Sequence, residues 1–160
     1  MDTTHFLHEF AAYDLWANTR LVDRLLREKE ALLDQPAKSS FPSIRATLMH
    51  IRNADAVWLA RITCTTPRWP AADSEALDTF LPHVVALHDH VKGLSTAELL
   101  GAVTYTDLKG DSYTQPRAQL LMHCFNHSTY HRGQVVTQMR ALDLQEIPAL
   151  DLVVFQRLRM

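Results

Sequence analysis

Three histidines recur in the stretch His123-Cys124-Phe125-Asn126-His127-Ser128-Thr129-Tyr130-His131. Residues four apart stand one above another on a helix, so these imidazoles form a ladder along one side. Two imidazoles at i and i+4 can grip a single metal ion. A third ligand from elsewhere in the chain would complete a site with open coordination positions. Such an ion lowers the pKa of a bound water or polarises a substrate.

The third ligand is expected at His50, on a different helix. On the wheel it lies beside Ala46, Asn53, Ala54 and Val57, and most of these neighbours are small enough to leave room for an imidazole. Three neutral imidazoles suit Zn, Ni or Fe. The competing reading needs no metal. On the helical wheel Ala118, Met122, Phe125, Thr129 and Val136 make an apolar stripe, with His123, His127 and His131 roughly opposite. If that stripe faces the core, the histidines face water. If the histidines face inward, another element or a second subunit must cover the stripe, and the second case is a homodimer.

Other residues carry weaker signals. His123 extends the ladder as a spare ligand or a pocket-lining group. Cys124 could offer a thiolate, but an unpaired cysteine in a helical protein is usually core. Asp55 could orient a ligand or act as a base. Asp14, Trp16 and Asn18 could line a pocket, with packing the default for Trp16. Arg132 and Arg140 could meet an anionic substrate, with a solvated surface role as their default. His83, His88 and His90 read as surface positions, and His5 and His8 lie near the start of the first helix. The chain has no Gly-rich phosphate loop, no Gly-x-Ser-x-Gly elbow and no His-Glu-x-x-His, since Ser, Thr and Tyr fill positions 128 to 130.

The elements that must hold these groups are helical. Only four glycines occur in 160 residues, and long stretches lack proline. A first helix is expected over residues 4–33, capped by Thr3 or Thr4, with a loop over 34–42. Ser43 is a good N-cap for a second helix running to about residue 65. A loop holding Pro67, Trp69 and Pro70 leads to a third helix over 73–92, kinked or divided by Pro82. Ser95 to Leu100 adds a short helical turn. Two β-prone pieces flank Leu108-Lys109-Gly110-Asp111 and predict a hairpin. The fourth helix is expected over 116–142, with Pro116 at its start. The tail from Ala149 packs back on the rest. Four long helices and one hairpin predict an all-α four-helix bundle in a single domain, residues 1–160.

Composition narrows the function. A net charge of -2 leaves no electrostatic footprint for nucleic acid or an anionic membrane. No apolar run approaches a membrane-spanning length. The start, Met1-Asp2-Thr3-Thr4-His5, lacks the pattern of a signal peptide, and a cytoplasmic location is expected. Cys64 and Cys124 then read as free thiols in a reducing compartment.

Tyr13-Asp-Leu-Trp-Ala-Asn18 with Leu21, Leu48-Met-His50-Ile with Trp58-Leu, and Asn126-His127-Ser-Thr-Tyr-His131-Arg-Gly-Gln134 occur in this order. Together they resemble the DinB-like family, also called the YfiT-like metal-dependent hydrolases. The resemblance spans nearly the whole chain. It implies an up-down-down-up four-helix bundle, often dimeric, with a divalent metal on His50, His127 and His131, and it leaves His123 as a neighbour. It also implies a metal-dependent hydrolase or a transferase of low-molecular-weight thiols such as bacillithiol, mycothiol or glutathione. Either would act on a small-molecule substrate. A thiol would need a groove, expected between the hairpin, the first helix and the Trp69 loop. The alternative is a non-catalytic metal-binding or stress-related interaction protein, whose mark would be a fourth protein ligand such as His123 or Cys124.

Overall fold

Ser43 starts the second helix as expected. Its backbone is extended and its Oγ accepts the Ala46 N–H at 3.2 Å. The computed structural model describes residues 3–160, the Thr3 side chain excepted. The cap expected at Thr3 therefore lies outside the described residues. Thr4 is already helical, and its hydroxyl meets that of Thr96 at 2.6 Å.

The main helices are α1 (Thr3–Leu25), α2 (Ile44–Ile62), α3 (Phe80–Lys92) and α5 (Arg117–Ala141), with short helices α4 (Thr96–Leu100) and α6 (Leu152–Arg157). α1 packs on α3 and α5, and α2 packs on α5 and α3. A two-stranded antiparallel hairpin, β1 (Ala102–Thr106) and β2 (Ser112–Pro116), precedes α5 with Tyr105 opposite Tyr113. Pro116 lies directly before α5, close to its expected start. No helix among the described residues is long and apolar enough to cross a membrane.

The first helix stops at Leu25, eight residues short of the expected end. The chain turns, and a 3-10 turn, Glu30–Asp34, folds Leu33 back into the core beside Leu25 and Leu77. Burying a leucine stabilises by about 1.5–3 kcal/mol, which a straight continuation into solvent would forfeit. Arg24 secures the turn by donating to the Gln145 carbonyl at 2.9 and 2.6 Å and pairing with Glu28 at 2.6 Å.

α2 also ends early. Cys64 adopts a left-handed φ of 56°, and the Thr65 and Cys64 N–H groups return to the carbonyls of Ala60 and Arg61. That pairing closes the helix as a Schellman motif without glycine. The third helix begins at Phe80, not near residue 73, after a 3-10 turn Leu77–Thr79. Pro82 occupies its first turn, where a missing N–H costs no helical bond, so it neither kinks nor divides the helix. The capping box of Ser95 and Glu98 builds α4. In the tail, Phe155 packs on Tyr13 and Trp16, and the Tyr13 hydroxyl donates to the Leu150 carbonyl at 2.8 Å.

Two large apolar clusters fill most of the interior, with a smaller one of Tyr13, Ala17 and Phe155 beside them. One centres on Leu21, Leu48 and Met139, the other on Leu7, Leu87 and Leu121. Between them α1, α2 and α5 place a buried polar layer of Asp14, Asn18, Asp55, Ser128 and Arg132. This layer corrects the face expected for α5. Of the predicted stripe Phe125 is buried but Met122 and Thr129 are exposed, whereas Leu121, Cys124, Ser128, Val135 and Met139 face the core. Ser128 and Arg132 are tolerated there because Asn18 and Asp14 bond them.

Candidate metal centre

α2 and α5 lie side by side, which brings His50 to the ladder on α5. One ring nitrogen from each of His50, His127 and His131 falls in a group spanning no more than 4.8 Å. His50 Nε2 and His127 Nε2 are 3.0 Å apart. His131 is buried and the other two are half-buried.

The electrostatics favour neutral imidazoles. Burial, then the neighbouring His131, His50 and His123, push the His127 pKa down to about 4. Burial, then His131, lowers that of His50. At neutral pH both rings carry a lone pair that a cation can use. Two Nε2 atoms this close need a shared proton or an ion between them, because facing lone pairs repel. The donor set, the spacing and the neutral state fit a divalent metal that accepts imidazole.

Supporting contacts orient two of the rings. His131 Nδ1 lies 2.8 Å from Gln134 Oε1, an acceptor, so Nδ1 carries the proton and Nε2 is left for a metal. The Gln134 amide in turn donates to Ser40 Oγ at 2.7 Å. The Phe41 ring stacks on His50 at 4.3 Å. Its loop is held from below, because Gln138 donates to the Phe41 carbonyl at 3.0 Å while accepting from Thr47 at 2.9 Å. Trp69, largely exposed, presents its ring edge-on to His50 at 6.2 Å. His127 Nδ1 is enclosed and has no acceptor.

The remaining candidates are placed elsewhere. His123 stands outside the triad and packs on Trp58 at 4.8 Å. Cys124 is buried in the core, where burial and then Asp55 and Asp14 push its thiol pKa well up, so it offers no thiolate. Asp55 is sealed inside near Asp14 and Arg132. Burial and then Asp14 raise its pKa well above the ordinary carboxylate value, and it neither joins the triad nor hydrogen-bonds any of its rings. Asp14 and Asn18 are buried, 2% and 0% exposed. They belong to the buried layer, and Arg132 is buried with them instead of solvated. Arg140 is exposed as expected, and Trp16 packs on Phe155. The sequence reading missed Phe41 and the support role of Gln134. Gln134 follows His131 by three residues, a spacing that puts the two side chains in reach.

Comparison with known proteins agrees with this architecture. Residues 1–157 match the DinB family. The chain is 26% identical over 154 residues to Protein DinB of Bacillus subtilis (strain 168), covering 89% of this chain and 90% of the relative. Its fold is similar to the crystal structure of a DinB-like protein from Bacillus cereus ATCC 10987. That match has a TM-score of 0.64 and 18% identity, over 86% of this chain and 91% of the other. The fold is thus a DinB-like helical one with a small hairpin. The chain belongs to the DinB family.

Proposed function

We propose that this protein is a metal-dependent enzyme whose His50, His127 and His131 hold one divalent ion, Zn, Ni or Fe. The observation that carries the reading is the convergence of three imidazole nitrogens from two helices within 4.8 Å. A bound ion would supply Lewis acidity at its open positions and lower the pKa of a water or thiol placed there. Gln134 fixes the His131 tautomer, and Phe41 restrains the His50 ring. Trp69 stands at the rim, where it can cover a substrate.

Between the two reactions, the surroundings favour transfer of a low-molecular-weight thiol to an electrophile over hydrolysis. No Asp or Glu of the described residues joins the triad, and Asp55 is enclosed in the core. A thiol, with a pKa near 8.5, needs less help to lose its proton than water does. A non-catalytic metal-binding or interaction role is the alternative. Its expected mark, a fourth ligand, is not supplied by His123 or Cys124.

The packing of α1, α2, α3 and α5 supports the up-down-down-up four-helix bundle as the arrangement of this single domain. The exposed Met122 and Thr129 on α5 support a homodimer that covers them, and a cytoplasmic setting suits free Cys64 and Cys124. The test is turnover by the metal-loaded protein. Glutathione or bacillithiol with an electrophilic aryl halide should give thioether faster than the uncatalysed rate. Cleavage of anilides without thiol, and no thioether formation, would move the reading to hydrolase. No turnover of either class would favour the non-catalytic alternative.

A further inference from the structure

Several described arginines pair with no carboxylate, but Arg61 alone combines an enclosed, unbonded Nε with a guanidinium over two aromatic rings. Arg24, Arg27, Arg45, Arg68 and Arg132 each pair with a carboxylate. Arg61 pairs with none among the described residues. Its Nε is enclosed and has no acceptor. Instead its guanidinium lies 4.6 Å from the centre of the Trp58 ring and 5.6 Å from that of Tyr105. Stacking on aromatic faces holds the charge in place and leaves its terminal amino groups without a protein acceptor.

The corner is built. Trp58 and Tyr105 meet edge to face at 5.2 Å, and the Tyr105 hydroxyl donates to Gln115 at 2.7 Å across the hairpin. It is also continuous with the metal centre. His123 packs on Trp58 at 4.8 Å and lies 5.9 Å from His127. His50, Trp58 and Arg61 share a face of α2, while His127 and His123 are adjacent turns of the ladder on α5. Arg61 lies three turns beyond His50, a rise of about 16 Å, and its side chain leans back over Trp58.

We propose that Arg61, framed by Trp58 and Tyr105, is the anion-binding subsite of the metal centre and takes the carboxylate of an extended small-molecule substrate. The inference rests on the metal-dependent reading above. A planar fork of donors held on aromatic rings matches a carboxylate in a bidentate geometry that a lysine could not reproduce. The packed rings of Trp58 and His123 stand between the two ends, so the connecting part of such a substrate would be apolar or flat.

The test uses full-length zinc-loaded protein and ω-carboxyalkyl hydroxamates of graded chain length, each beside its methyl ester. The hydroxamate end takes the open positions of the ion. At one chain length the acid should bind about tenfold more tightly than the ester. Arg61→Gln should abolish that preference while metal content and ester affinity stay as they are. Arg61→Lys, which keeps the charge but not the fork, should retain only part of it. Equal binding of acid and ester at every length by metal-loaded protein overturns the subsite and leaves the metal centre standing. Protein that retains no metal after incubation with Zn, Ni and Fe overturns the metal reading itself, and the subsite with it.

Discussion

Asp14 of α1 and Arg132 of α5 form an ion pair sealed in the interior, their side chains only 3% and 2% exposed. Ser128 accepts a second bond from the same guanidinium at 2.7 Å, and Asn18 bridges Asp14 and Ser128. Arg132 and Ser128 adjoin His131 and His127 in sequence. The pair therefore sets the rotation of α5 that turns the two ligand candidates toward α2.

Removing one partner leaves the other charge buried alone. Asp14→Ala should destabilise by about 3–5 kcal/mol, read from urea unfolding. The double variant Asp14→Leu with Arg132→Met should recover much of that loss, since an apolar pair leaves no orphaned charge. A single variant as stable as the native protein would contradict the placement of the pair.

Gln134 acts on the metal through His131. Gln134→Ala removes the acceptor for His131 Nδ1 and frees the Ser40 loop contact. Metal affinity should fall about 10- to 100-fold in a chelator competition, with the fold intact by circular dichroism. Unchanged affinity would show that the ring is oriented by packing alone.

Asp55 sets a pH dependence. Its folded-state pKa lies above the unfolded one, because burial and then Asp14 disfavour the charged form. Between the two values the folded protein keeps a proton that the unfolded chain loses, so this group's contribution to stability falls as pH rises from about 4. Asp55→Asn cannot titrate. Its stability relative to the native protein should increase from acid to mildly alkaline pH, measured by denaturant melts across that range. A difference that stays constant with pH would place the carboxyl in water.

What the sequence made legible follows from which forces are local. Ser43 announces the start of α2 because an N-cap is a contact within one turn. The ladder of His127 and His131 is visible because i and i+4 spacing needs no tertiary knowledge. The end of α1 was not visible. Leu32 and Leu33 continue the apolar pattern, and only the packing of Leu33 against Leu25 and Leu77 shows that the chain must turn. The face of α5 stayed open between two readings for a related reason. Its core positions hold Ser128 and Arg132, polar residues whose partners lie on α1, so hydropathy pointed elsewhere. Phe41 was hidden because its place over His50 depends on Thr47 and Gln138, distant in sequence from it or from each other.

The most direct test of the central claim is metal content, by inductively coupled plasma mass spectrometry, on untagged protein beside the His127→Ala variant. A folded state that binds an ion gains stability by mass action, so a chelator should also lower the melting temperature of the native protein. The account predicts about one equivalent of divalent metal per native chain and its loss in the variant. Equal metal content in both, or none in either after incubation with Zn, Ni and Fe, would contradict it.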